Sequence, residues 1–96
     1  MTVTHSSDTQ FSLPKFNING TSPLTIENEF NSVMVALRKA EQLLIQSTVH
    51  PRDFQCQTYD KYLLAKQQKL EMLERLSEVH SYCECWYWAA VDALNS

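Results

Sequence analysis

Residues 79–94, VHSYCECWYWAAVDAL, decide the fold because they are apolar on two sides at helical spacing. At about 100° per residue, a helix with two such stripes needs two partners to cover them. We expect the preceding helix to cover one stripe, and the N-terminal arm or another polypeptide to cover the other. The first stripe comprises His80, Tyr87, Val91 and Leu94, and the second comprises Tyr82, Trp86, Ala89 and Ala93.

Length and composition favour a single all-α domain. A chain of 96 residues builds one core, and one glycine with three prolines supplies too few turn residues for an all-β fold. The net charge of −3 is reached without an acidic run, so the sequence shows neither a basic nucleic-acid surface nor a mimic of DNA charge. We therefore expect a helical protein for which nucleic acid is not the partner.

No targeting or membrane segment is visible in the sequence. Residues 1–10 lack the basic and apolar parts of a secretory signal, and we expect them to form a disordered tail. No window reaches the roughly 20 uncharged apolar residues that a membrane span needs. The prediction is a cytoplasmic protein without membrane contact, in which the three cysteines are reduced thiols.

The first part of the folded domain is predicted to be an extended arm and a helix. Residues 11–21 alternate apolar and polar side chains, which is typical of an arm that lays one face on an apolar surface. A helix at about 23–47 follows, with Ser22 or Thr25 as its N-cap and Pro23 in its first turn. Its apolar seam is predicted to comprise Ile26, Phe30, Val33, Leu37, Ala40 and Leu44.

A second, longer helix is predicted at about 52–94, because neither glycine nor proline follows Pro51. Lys66 to Lys69 interrupts its apolar pattern. The arm and both helices form one domain, residues 11–96, arranged as an antiparallel helical hairpin. The seam of the second helix is predicted to comprise Tyr59, Leu63, Leu70, Leu73, Leu76 and His80.

The loop between the helices determines which residues face each other. A tight turn at residues 47–52 would place Leu44 beside Cys56 or Tyr59, and Ile26 near Leu76. The chain after about His80 would then extend beyond the first helix. Because a two-helix hairpin of this size is marginally stable alone, we expect a second copy to complete a four-helix bundle, or another protein to bind.

His80, Cys83 and Cys85 form a cluster of potential metal ligands, with Cys56 as a fourth group. Residues two apart on a helix point about 200° apart, so Cys83 and Cys85 do not hold one ion while helical. Catalysis by Cys83 with His80 as base also needs an oxyanion site, and no glycine-rich turn supplies one. We expect no enzyme, metal or cofactor, and keep a thiol- or zinc-dependent activity at His80, Cys83 and Cys85 as an alternative.

The aromatic residues near the C-terminus are the feature most typical of a binding surface. Tyrosine and tryptophan anchor protein interfaces through large contact areas at low entropic cost. Packing within one copy or a homodimer is the competing explanation, and stacking on single-stranded nucleic acid is disfavoured because no Lys or Arg follows Arg75. The predicted protein-binding residues are Tyr82, Trp86, Trp88, Ala89 and Ala93.

The sequence therefore predicts a small non-enzymatic helical protein-binding module, acting as an adaptor, regulator or inhibitor through the surface of its C-terminal helix. Its partner would be another protein, a second copy, or both. By analogy alone, a phage or mobile-element inhibitor of a host nucleic-acid-processing complex is an alternative.

Overall fold

The computed structural model describes residues 11–96, and this part of the chain is all-helical without a strand. Helix α1 spans Pro23–Gln46, a short 3-10 helix (η1) spans Pro51–Phe54, and helix α2 spans Tyr59–Leu94. The two long helices pack against each other as an antiparallel hairpin, so the predicted fold class is confirmed to this extent. The predicted tail, residues 1–10, lies outside the described residues.

Helix α1 begins and ends close to its predicted bounds of 23–47. The Ser22 hydroxyl accepts a hydrogen bond from the Thr25 backbone N–H at 3.2 Å, and Pro23 occupies the first turn, where its missing N–H costs nothing. At the other end, the Ser47 hydroxyl donates to the Leu44 carbonyl at 2.6 Å. The sequence signals at the start of this helix therefore act as expected, and the helix ends within one residue of its predicted bound.

Helix α2 begins at Tyr59, later than the predicted start near residue 52. The intervening chain first forms η1, whose N-terminus is capped by His50 Nδ1 accepting from the Arg52 N–H at 3.0 Å. Thr58 then adopts an extended backbone, with φ −74° and ψ 157°, and so acts as the N-cap residue of a separate helix. The connection between the long helices thus runs from Ser47 to Thr58 and is not a tight turn.

Two contacts fix the register of the hairpin. At the C-terminus of α1, Lys69 Nζ donates to the carbonyls of Ile45, at 2.9 Å, and Ser47, at 2.6 Å. Nearer its N-terminus, the Phe30 ring stacks on Trp86 with ring centroids 5.2 Å apart. The separation in sequence from Phe30 to Ile45 is close to that from Lys69 to Trp86, which agrees with two helices running antiparallel.

The predicted register, with Leu44 beside Cys56 or Tyr59, is wrong. The end of α1 lies beside Lys69, about 15–20 Å further along α2 at about 1.5 Å per residue. The reason is the long connection, which runs along the start of α2 and packs the Phe54 ring on Tyr62 at 6.0 Å. The part of α2 that extends beyond α1 is therefore residues 59–68, and not the segment after His80.

The core of the hairpin is thin. Among the described residues, the buried apolar side chains are Ile26, Met34, Cys83 and Ala90, and no large side chain is fully buried. Two helices share only one seam, and a seam of this size is marginal for a stable domain. Neither long helix has an apolar stretch that could cross a membrane.

Candidate interaction surface

An aromatic cluster lies at the end of the hairpin where α1 begins and α2 ends, and this end is called the terminal end. The opposite end contains the connection of residues 47–58 and is called the loop end. The Tyr82 ring meets Phe11 of the arm edge-on at 5.1 Å and Phe30 at 6.1 Å. Trp86 stacks on Phe30 at the register contact described above. Each such ring pair adds about 0.5–1.5 kcal/mol beyond area burial, so this cluster holds the arm on the hairpin.

The arm covers one side of Trp86. Residues 14–17, 20 and 21 of the arm, together with Ile26 and Trp86, line a cavity of about 210 Å³. Within the described residues the buried Trp86 Nε1 has no hydrogen-bond partner. The sequence predicted that either the arm or another polypeptide would cover the second apolar stripe, and around Trp86 the arm lies over this stripe.

The structure separates the residues predicted to bind a protein. Tyr82 and Trp86 share the arm-covered cluster, and Ala89 and Ala93 are partly buried. Trp88 is 38% exposed and lies about 200° around α2 from Trp86. The five residues therefore do not form one continuous surface, and their role in binding a protein stays a prediction.

The side of α2 that the arm covers at Trp86 extends toward the loop end, where no other part of the described chain covers it. A step of seven residues turns a helix by only about 20°, so Trp86, Val79 and Met72 lie on one side of α2. Tyr82 and Leu64 lie about five helical turns apart and flank the same side. Val79 is 45% exposed and Met72 39% exposed, so this side of α2 is apolar and accessible below the arm.

Helix α1 presents a matching side. Ile26 lines the same cavity as Trp86, and the seven-residue series from Ile26 runs through Val33 and Ala40. The parallel series through Ala36 and Leu43 lies beside it. All four residues of these two series that follow Ile26 are exposed: Val33, Ala36, Ala40 and Leu43. The two helices together form a surface, here called the apolar face, which comprises Val33, Ala36, Ala40, Leu43, Leu64, Met72, Val79 and Tyr82.

Most of the apolar face is not predicted by the sequence patterns described above. The apolar spacing of α1 places Val33 and Ala40 in the seam with α2, and the second stripe of α2 is predicted only within residues 79–94. The signal that extends this stripe is the seven-residue spacing of Trp86, Val79 and Met72. That signal becomes useful only once the register shows that this part of α2 lies beside α1.

The loop end carries a second aromatic group. The Tyr62 ring lies 6.0 Å from Phe54 and 5.7 Å from Tyr59, and Lys66 Nζ lies 5.3 Å from the centre of the Tyr62 ring. A cation over a tyrosine ring contributes about 0.5–1 kcal/mol at an exposed site. These contacts fasten η1 and the connection to residues 59–68, so the part of α2 beyond α1 is not a bare helix.

Charge is distributed unequally along the hairpin. Residues 38–77, at the loop end, contain seven basic and five acidic residues. The remaining described residues, 11–37 and 78–96, contain one lysine and five acidic residues. With net charges of +2 and −4, the hairpin has a basic loop end and an acidic terminal end.

The cysteines and His80 do not converge. Cys83 is buried in the seam, where desolvation raises the pKa of its thiol, while Cys85 is half-buried and Cys56 is exposed. His80 Nδ1 lies 3.5 Å from Glu84 Oε1, one turn along the helix. Because α2 is continuous here, Cys83 and Cys85 point to different sides. Within residues 11–96, no three His, Cys, Asp or Glu side chains are placed to hold a metal ion.

No family model, curated protein or solved structure matches this chain. The class that the fold defines is an all-α helical hairpin with an N-terminal arm.

Proposed function

We propose that this protein is a non-enzymatic helical protein-binding module that works as an adaptor, regulator or inhibitor. In this proposal, two further helices dock on the apolar face and complete a four-helix bundle. The observation that supports it is an accessible apolar face shared by both helices of a hairpin whose own core is thin. Bundles of four helices bury such faces against each other.

The energetic case rests on the larger side chains of the apolar face, which keep between 38% and 55% of their surface exposed. Burying the exposed part of each would contribute roughly 1 kcal/mol, since complete burial of a large apolar side chain is worth about 1.5–3 kcal/mol. Six side chains would supply roughly 6 kcal/mol before the cost of association is subtracted. The six are Val33, Leu43, Leu64, Met72, Val79 and Tyr82.

The proposal moves the binding surface along α2 relative to the sequence prediction. Tyr82 belongs to both surfaces, whereas one side of Trp86 already faces the arm across the cavity. Trp88, on another flank, remains a separate candidate contact for a protein partner. A surface in the middle of the hairpin offers two helices to a partner instead of one projecting end.

The geometry favours binding over thiol or zinc chemistry. Burial of Cys83 raises its pKa and so disfavours the reactive thiolate. A zinc site that includes both Cys83 and Cys85 would also require α2 to unwind near Cys85, which lies within its continuous helix. The proposal retains a cytoplasmic location with reduced thiols. A mobile-element inhibitor would be one form of such a module.

The test compares Val79→Glu, on the apolar face, with Val35→Glu, which lies on α1 away from that face and is similarly exposed. Light scattering on the pure full-length protein measures self-association, and capture from a host lysate measures binding to other proteins. We expect Val79→Glu to lose self-association or capture, while Val35→Glu behaves as wild type. Equal behaviour of all three proteins in both measurements would refute the proposal.

A further inference from the structure

We infer that the occupant of the apolar face is a second copy of this chain, stacked antiparallel so that the loop end of one hairpin covers the terminal end of the other. The inference rests on the proposed function and names its partner. Two features support this arrangement: the size of the face, and the distribution of charge both between the two ends of the hairpin and at the positions that a two-fold axis brings together.

Charge favours the antiparallel stack. Residues 38–77 carry a net +2, and the rest of the described chain carries −4. An antiparallel arrangement places the basic half of each copy against the acidic half of its partner, whereas a parallel arrangement places like charges together. Complementary potentials of this kind select partners and orientation more than they add affinity, and they weaken as salt rises.

The size of the uncovered face suits a homodimer. From Leu64 to Tyr82, the uncovered side of α2 is about 27 Å long. Helix α1 lies beside this side only from Lys69 to Tyr82, about 20 Å, where two packed helices are about 20 Å wide. The remaining stretch of about 8 Å is a single helix about 10 Å wide, so each copy presents about 480 Å². The pair of faces would bury about 960 Å² in total, close to the roughly 1,000 Å² that marks a specific interface. The face therefore fits a weak dimer.

The two ends of the face define the register of the stack. A two-fold axis midway between Leu64 and Tyr82, near residue 73, brings each of these side chains to the level of the other on the partner. In a two-fold dimer every contact occurs twice. Burying both ends of the face in this way leaves the arm of each copy beside the loop end of its partner.

The same axis pairs opposite charges. Lys61 lies three seven-residue steps before Tyr82 and so on the same side of α2, a little over three helical turns from the axis. It therefore reaches the level of residue 85 of the partner, and the partner's Glu29 lies within about one turn of that level because Phe30 packs on Trp86. Since this two-fold axis lays α2 on the α2 of the partner, Lys61 meets the partner's Glu29 diagonally, on the neighbouring helix. Arg75, which lies among the apolar residues, comes to the level of the partner's Glu71. Two kinds of opposite-charge pair thus flank the apolar contacts, each present twice.

Sedimentation equilibrium on the full chain tests the partner and the charge register. We expect a dimer that Val79→Glu converts to monomer while Val35→Glu does not. Lys61→Glu and Glu29→Lys should each weaken the dimer about tenfold at low salt, because each change creates two repulsions. The double variant should recover most of the loss. Two single variants that weaken the dimer without mutual rescue would overturn the register.

The exposed Cys56 provides a test of orientation. In a Cys83→Ala, Cys85→Ser background with unchanged helical content, a spin label on Cys56 lies near the loop end, at about the level of residue 60 because Phe54 packs on Tyr62. Antiparallel stacking predicts a label separation of roughly 40 Å, from about 13 residues on either side of the axis. A parallel stack would bring both labels to one end, at about half that distance or less. A separation below about 25 Å, which is far short of the helical rise between the two loop ends, would overturn the antiparallel arrangement.

The outcomes also separate this inference from the proposed function. If the wild type stays monomeric at high micromolar concentration, yet Val79→Glu abolishes binding to another protein, the self-partner is wrong and the binding module stands. If the wild type is monomeric and Val79→Glu changes no interaction, both proposals fail. A dimer that survives Val79→Glu would place the interface elsewhere and overturn the inference.

Discussion

Replacing Lys69 with methionine tests the register on which the location of the apolar face depends. Lys69 Nζ donates hydrogen bonds to the carbonyls of Ile45 and Ser47, which lie at the end of α1, where helical carbonyls lack partners. Methionine keeps the length and volume of the aliphatic stem and removes only the ammonium group. The substitution therefore isolates the polar contact between the helices.

The loss should be modest but measurable. Hydrogen bonds to a charged group contribute about 1.5–3 kcal/mol when shielded, and a cation at a helix C-terminus contributes about 0.3–1 kcal/mol when exposed. Because both bonds lie at the surface, where water replaces part of the loss, we expect about 1–2 kcal/mol in the free energy of unfolding. For a chain of this size that is a decrease of about 5–15 °C in Tm.

Thermal unfolding followed by circular dichroism measures the effect, with all proteins at one concentration because self-association would shift Tm. Lys39→Met is the matched control, since Lys39 is exposed on α1 and its replacement removes the same charge from the same half of the hairpin. We expect the control to stay within about 0.5 kcal/mol of wild type. If Lys69→Met also stays within that range, Lys69 does not cap α1, and the inference that this contact fixes the register at the loop end is refuted.

Three further experiments test other parts of the structure. Trp86→Phe should change the free energy of unfolding by less than about 1 kcal/mol, because it keeps a ring on Phe30 and removes the unpaired Nε1–H. Trp86→Ala should lower it by about 3–5 kcal/mol, and equal losses for the two variants in urea denaturation would contradict the stacking. Cys56 should react with a thiol reagent at pH 8 well before Cys83, because burial of Cys83 raises the pKa of its thiol and limits access. Mass spectrometry of the peptides measures the order of modification, and faster modification of Cys83 would contradict its burial. Ser22→Ala should lower the free energy of unfolding by about 0.5–2 kcal/mol through loss of the N-cap, and an unchanged value would show that the cap is dispensable.

Local signals in the sequence predicted local structure well. Ser22 and Pro23 mark the start of α1. The N-cap and the proline of the first turn depend on interactions within a few residues, so one sequence contains their cause. The prediction that the arm or another polypeptide must cover Trp86 also came from residues that are near neighbours on one helix.

The register could not be predicted in the same way because it depends on contacts between distant residues. Pro51 is an acceptable first residue of a helix, and here it begins η1 instead of α2. A helix α2 that began at Pro51 would have a shorter connection to α1, and every pair of facing residues would be shifted along the hairpin. The stack of Phe30 on Trp86 and the contact of Lys69 with α1 both join residues that lie far apart in the sequence.

Lys69 shows what the interruption in the apolar pattern of α2 means. When α2 is considered alone, the polar residues from Lys66 to Lys69 interrupt its apolar seam. Beside the end of α1, however, the ammonium of Lys69 meets carbonyls that an apolar residue would leave without partners. The interruption therefore marks the point where the neighbouring helix ends, and moving that point to Lys69 places residues 69–94 beside α1. It follows that the exposed apolar surface lies along the middle of the hairpin, where two helices contribute to it, and a partner must match both.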